Sequence, residues 1–168
     1  VRKYIANYEI ETIQYWVDDM IVVSPGIAEA YGKLTWINPT VVMNITDWES
    51  MTGETTGKKE FDGYKSYLEK LKKEGKELLL YMGRNFIRGR GMEFTLEMLK
   101  YLPEHYFLVI FGCSNTKEIQ MLQKIFKAKN MEHRIKAFKY ASLSDLYHLR
   151  TYFSYGLSMI EPIYFSYN

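Results

Sequence analysis

From Leu78 onward the chain carries four short apolar runs: Leu78–Met82, Tyr106–Phe111, Ile135–Phe138 and Tyr155–Ile160. Each is closed by glycine or polar residues, and helical patterns lie between them. The first two runs are unbroken, as suits buried strands, the other two read as short strands, and parallel strands need long, usually helical, crossovers. The pattern predicts an α/β fold on a Rossmann-like open parallel sheet.

The intervening segments fit that architecture. Phe61–Glu74 sets Tyr64, Tyr67, Leu68 and Leu71 on one side of a helix. Met92, Leu96 and Leu99 repeat the spacing, as do Ile119, Leu122 and Phe126. Ser142 stands three residues before Asp145 and ahead of Leu143, Leu146 and Leu149, close to a capping box. Upstream, Arg2–Val17 reads as a helix and Met20–Val23 as a strand buried on both faces. Ser24-Pro25 supplies an N-cap and a first helical residue for a helix to about Tyr31, and Val41–Met43 reads as another strand. Residues 45–57 lapse into Thr, Gly, Asp and Glu. The expected division is 1–44 as the end of one domain, 45–60 as a linker and 61–168 as an incomplete second domain.

Composition narrows the partners. Lysine and arginine exceed the acids by only two among 168 residues, so no overall basic field argues for nucleic acid. The single Cys113 cannot form an internal disulfide, which suits a reducing compartment. No apolar run approaches the roughly 20 residues of a membrane span. His105, His133 and His148 show no metal-ligand spacing, and no metal is expected.

Open α/β sheets gather ligands at the carboxyl ends of their strands. The first such end, Gly83–Gly91, holds Arg84, Arg88 and Arg90 between glycines. Glycine permits close backbone approach, a helix N-terminus offers unpaired N–H groups, and forked guanidinium donors match phosphate oxygens. The plainer alternative is a solvated loop whose glycines only turn the chain. The second end, Gly112-Cys113-Ser114-Asn115, offers backbone to a sugar or phosphate, or is a simple strand-to-helix turn. The third, Ile160-Glu161-Pro162, places a carboxylate where hydroxyls could donate to it, or leaves it exposed before a rigid turn. Nothing brings a histidine beside Cys113 to make it a nucleophile, and no strict G-x-G-x-x-G fingerprint is present.

The order of these segments resembles a known family. Asp19–Ala28 is similar to the "AD-x-V-I-x-V-S-x-x-I-A" segment that closes the N-terminal domain of GT-B glycosyltransferases, and Val41–Asn44 resembles the strand leading into their C-terminal domain. Leu80–Arg84 with Arg90–Glu93 is similar to their "Y-x-G-R…K-G" donor loop. Tyr101–Pro103, Leu108–Gly112 and Gly156–Pro162 resemble the segments that follow. The likeness covers nearly the whole chain and points to the retaining, family-4-like (group 1) transferases.

That resemblance implies a partial GT-B fold and a UDP- or GDP-sugar donor, with no metal or other cofactor. It assigns donor binding to Gly83, Arg84, Arg90, Gly91, Gly112 and Glu161; Arg90 stands where the family has Lys, and a loop one residue longer lets Arg88 take that place. It implies a glycan or lipid-linked acceptor in polysaccharide assembly, with a cytoplasmic protein working at the inner membrane face. Catalytic residues are not assigned, because the acceptor side and the acidic donor segment are expected outside the chain. Little transferase activity is therefore expected of it alone, with self-association through residues 152–167. The alternatives are a non-catalytic α/β interaction module and a GT-B sugar-nucleotide epimerase.

Overall fold

In the computed structural model the described residues are 10–57, 59–83 and 91–158. They fall into two compact units, Val1–Thr46 and Asp47–Asn168.

In the first unit residues 10–16 are helical (α1), followed by β1 (Ile21–Val22), α2 (Pro25–Leu34) and β2 (Thr40–Val41). The two strands pair in parallel, Ile21 with Thr40 and Val22 with Val41. Ser24 caps α2 by accepting from the Ile27 amide at 3.3 Å, and Pro25 occupies the first turn, where its missing N–H costs nothing. At the other end the Thr35 amide and hydroxyl both donate to the Tyr31 carbonyl, at 2.8 and 2.9 Å. The expectation of a strand buried on both faces is corrected here: Val22 is buried, while Ile21 is 72% and Val23 55% exposed. Strand β1 packs chiefly against β2 and α2, and that packing leaves the Ile21 and Val23 side chains exposed.

The second unit is a three-layer α/β domain. Its order is α3 (Trp48–Thr52), α4 (Lys59–Lys73), β3 (Glu77–Met82), α5 (Met92–Tyr101), β4 (Tyr106–Cys113), α6 (Thr116–Ala128), β5 (Ile135–Lys139), α7 (Leu143–Leu149), a 3-10 turn (Arg150–Tyr152) and β6 (Tyr155–Leu157). The strands form one parallel sheet in the order β5-β4-β3-β6. Alternate strand residues feed two cores, as the two-residue period of a strand requires. Leu79, Tyr81, Leu108, Ile110, Ile135 and Ala137 meet α5 and α6 on one face. Leu78, Phe107, Val109 and Phe111 meet α4 and α7 on the other, where Leu68, Leu71 and Leu149 are buried. Burial on both faces explains why β3 and β4 read as continuous apolar runs.

Strand β2 covers Thr40–Val41 rather than Val41–Met43, and β6 covers Tyr155–Leu157 of the expected Tyr155–Ile160, whose last two residues lie outside the described ones. Two further details differ from the sequence reading. Trp48–Thr52 is helical within the stretch read as a linker, capped by Asp47, whose carboxylate accepts from the Ser50 amide and hydroxyl, both at 2.9 Å. Strand β4 continues past Phe111 to Cys113, with its register to β5 interrupted between those residues. Gly112 is the irregular residue, at φ +121°.

Candidate functional site

Strand β3 enters the sheet first; the chain then builds β4 and β5 to one side before β6 returns to the other. The carboxyl end of β3 is therefore a topological switch point, the position where open α/β sheets bind ligands. Gly83 lies there, and its amide donates to the Phe111 carbonyl at 3.2 Å. A Cβ on Gly112 would lie 2.0 Å from the Gly83 carbonyl oxygen. The two glycines thus bring the ends of β3 and β4 into backbone contact. At Gly83 itself, among the described residues, an added Cβ meets only the Tyr81 ring at 3.7 Å, an ordinary distance, so the demand for glycine read from them falls on Gly112.

A cavity of about 260 Å³ opens beside this contact. Met82 and Gly83 line it from β3, Phe111 and Gly112 from β4, Tyr140 and Ala141 from the end of β5, and Leu143 and Leu146 from α7. The Tyr140 amide donates to the Cys113 carbonyl at 3.0 Å, which fixes that wall to β4. The lining is apolar apart from the backbone and the Tyr140 hydroxyl, a composition suited to a flat organic ring held by few polar contacts.

Seven residues, including Arg84, Arg88 and Arg90, separate Gly83 from Gly91 and lie outside the described residues, as does Glu161. Gly91 caps α5 in the left-handed region at φ +65°, and its carbonyl takes the Thr95 amide at 2.8 Å and hydroxyl at 2.9 Å. Gly83 thus lies at the cavity and Gly91 at the N-terminus of α5, the end of a helix whose dipole favours anions.

Other polar groups in this unit are committed to structure. The Ser114 amide donates to the Glu118 carboxylate at 2.7 Å and the Glu118 amide to Asn115 at 3.0 Å, a reciprocal cap for α6. Burial pushes the Cys113 thiol up to about 11, with the Glu118 charge adding to the effect, so it is a poor nucleophile near neutral pH. Arg134 is buried at the opposite end of the sheet. Its guanidinium donates to the carbonyls of Leu102, Pro103 and Tyr106 at 3.0, 2.7 and 3.3 Å and to Glu104 at 3.2 Å. Among the described residues no three side chains are grouped to hold a metal, and no helix is long and apolar enough to cross a membrane.

The sequence reading did not single out Tyr140, Ala141, Leu143, Leu146 or Asp145 as site residues. The usable signal was the strand Ile135–Phe138, whose carboxyl end is a fourth loop at the same edge of the sheet. Asp145 is buried at 5% exposure and accepts from the Thr56 amide at 2.9 Å and from its hydroxyl at 3.2 and 3.0 Å. Burial works to raise its pKa, but hydrogen bonds from Thr56 and Ser142 outweigh it and hold the carboxyl below its ordinary range.

No protein-family model and no curated protein matches the chain. Solved structures do. HepE from Anabaena in complex with UDP and glucose superposes with a TM-score of 0.67 at 11% identity, over 92% of this chain and 41% of that one. Sucrose-phosphate synthase from Thermosynechococcus elongatus gives 0.68 at 16% identity, over 98% and 40%. WaaG, a glycosyltransferase involved in lipopolysaccharide biosynthesis, gives 0.66 at 15% identity, over 94% and 42%. The chain thus has the fold of part of a GT-B glycosyltransferase, and it spans about two-fifths of the length of these structures.

Proposed function

We propose that the carboxyl-end site of the second unit holds the nucleoside diphosphate of a sugar donor, and that the chain is the donor-binding part of a retaining glycosyltransferase. The observation that carries this reading is the Gly83–Gly112 contact, which opens an apolar cavity at the switch point where the arginine-bearing loop begins. The base and ribose of a UDP- or GDP-sugar enter the cavity. The diphosphate lies toward Gly91, where the α5 N-terminus, Arg84 and either Arg90 or Arg88 offset its charge. When the sugar–phosphate bond breaks and the sugar passes to an acceptor hydroxyl, the same groups stabilise the negative charge on the leaving diphosphate. Glu161 is assigned to the hydroxyls of ribose or sugar. Structures of HepE with UDP and with UDP-glucose support a nucleotide-sugar as the ligand class.

The reading extends to the larger protein. Residues 1–44 belong to its acceptor-side domain, 45–60 to the connection and 61–168 to the donor domain. The transferred group is a hexose, the acceptor a glycan or lipid-linked sugar, and the reaction runs at the cytoplasmic membrane face. Second copies associate through the edge near Tyr152 and Tyr155.

Titration calorimetry on the 168-residue chain with UDP and with GDP tests the reading. One nucleotide should bind, Arg84→Ala should weaken it about ten-fold, the loss of one charge-assisted phosphate contact of about 1.4 kcal/mol, and EDTA should leave the affinity unchanged. Absence of binding heat at millimolar nucleotide would overturn it.

A further inference from the structure

Helix α7 has two working sides. Leu143 and Leu146 face the cavity that receives the nucleoside, while the Asp145 carboxylate faces away from it and grips Thr56 through both its amide and its hydroxyl. Thr56 lies 89 residues earlier in the chain, in the segment that runs from α3 into α4. That segment and α3 each meet α7 once more. The His148 Nε2 is 3.0 Å from the Gly53 carbonyl oxygen, and the Trp48 ring stands edge-on to Tyr147 at 5.9 Å between centroids.

The wall between the segment and the nucleoside cavity is thin. A second cavity of about 200 Å³ lies behind it, lined by Thr56, Glu60, Tyr64 and Asp145, and shares Tyr140 and Ala141 with the first. Close packing normally fixes the position of a wall, because a void leaves its lining without contacts on one side. Tyr140 and Ala141 border both cavities, so the hydrogen bonds from Thr56 to Asp145 add to the packing of Ala141, Leu146 and Leu149 in restraining α7. A bent carboxylate holding two donors of one residue is directional, and it is strengthened by its burial.

We propose that Asp145 is a positioning residue for the donor site: by holding Thr56 it couples the docking of residues 53–57 to the cavity wall formed by Leu143 and Leu146, so that a bound nucleotide tightens that segment. This rests on the assignment of the cavity to a nucleoside. A ligand that touches Leu143 and Leu146 stabilises one position of α7, and the coupling must be reciprocal: whatever the nucleotide does to the segment, the segment does to nucleotide affinity.

Residue-resolved amide exchange on the full 168-residue chain, with UDP as the probe, tests it. Saturating UDP should slow exchange of the Thr56 amide about five-fold or more, the lower end of ordinary allosteric coupling. Asp145→Ala should abolish that slowing and weaken UDP by about the same factor, with exchange along β4 unchanged; Thr56→Val, which keeps the amide but loses the hydroxyl, should fall between. If Asp145→Ala does not fold, the wild-type exchange and Thr56→Val decide. UDP that binds and protects residues 78–82 while leaving Thr56 unaltered would overturn the coupling and leave the nucleotide site standing. So would an Asp145→Ala chain that is less stable but binds UDP with wild-type affinity. Where UDP does not bind, GDP takes its place as the probe, and no binding of either would overturn both.

Discussion

At Gly112 a single hydrogen atom decides whether two strands can end where they do. Its φ of +121° is one that side-chain-bearing residues rarely adopt, and a Cβ there would collide with the Gly83 carbonyl at 2.0 Å. The collision is with backbone that is itself tied to Phe111, so no flexible side-chain end can move aside. Gly112→Ala should therefore cost about 3 kcal/mol, combining left-handed strain with overpacking. Gly83→Ala, which among the described residues meets only the Tyr81 ring at 3.7 Å, should cost less than about 1 kcal/mol. Urea unfolding of the two variants measures the difference, and equal losses would show that the close approach does not set the geometry. Both glycines were visible in sequence as strand ends. Which one bears the constraint was not, because it depends on the neighbouring strand rather than on either loop.

Among the elements, α3 is the one that sequence pattern missed, for a physical reason. Its stretch has no apolar periodicity; its stability comes from the Asp47 cap and from α7, nearly a hundred residues away. Strands β3 and β4 were legible because burial on both faces leaves an unbroken apolar run, and α2 because Ser24 and Pro25 announce its first turn. The cavity wall at Tyr140–Leu146 was legible only as a helix cap, since its second role arises when β5 is laid beside β4. Dependence of α3 and residues 53–57 on carboxylates carries a pH signature. For Asp47, hydrogen bonds from the Ser50 amide and hydroxyl lower the pKa; for Asp145, burial opposes but Thr56 and Ser142 prevail. A lowered folded-state pKa means stabilisation that is complete above the unfolded value of about 3.9 and lost as pH falls through the folded value. Docking of residues 47–57 should thus hold down to about pH 4 and weaken below it. Exchange of the Thr56 amide followed from pH 6 to pH 3, corrected for intrinsic rates, measures this; Asp145→Asn should flatten much of the change, and a wild-type profile already flat would refute the assignment.

For the molecule as a whole, the two units differ sharply in how much apolar surface they bury. Among the described residues of the first, only Val22 and Ile37 are buried hydrophobics, while Trp16 is 84%, Ile45 72% and Trp36 65% exposed. Few buried aliphatic side chains are thus set against the conformational entropy of ordering this backbone. Two-stranded sheets are marginal in water for the same reason. The second unit covers both faces of a four-stranded sheet and has ample core on each. The units should therefore lose structure separately, the first at lower denaturant. The three tryptophans offer the means to see it, since Trp16 and Trp36 lie in the first unit and Trp48 in the second. A variant retaining only Trp36 should report an early, shallow urea transition, because the slope follows the surface exposed on unfolding. One retaining only Trp48 should report a later, steeper one that coincides with loss of helical circular dichroism. Coincident transitions would mean that the first unit draws its stability from the second and that the chain unfolds as one cooperative body.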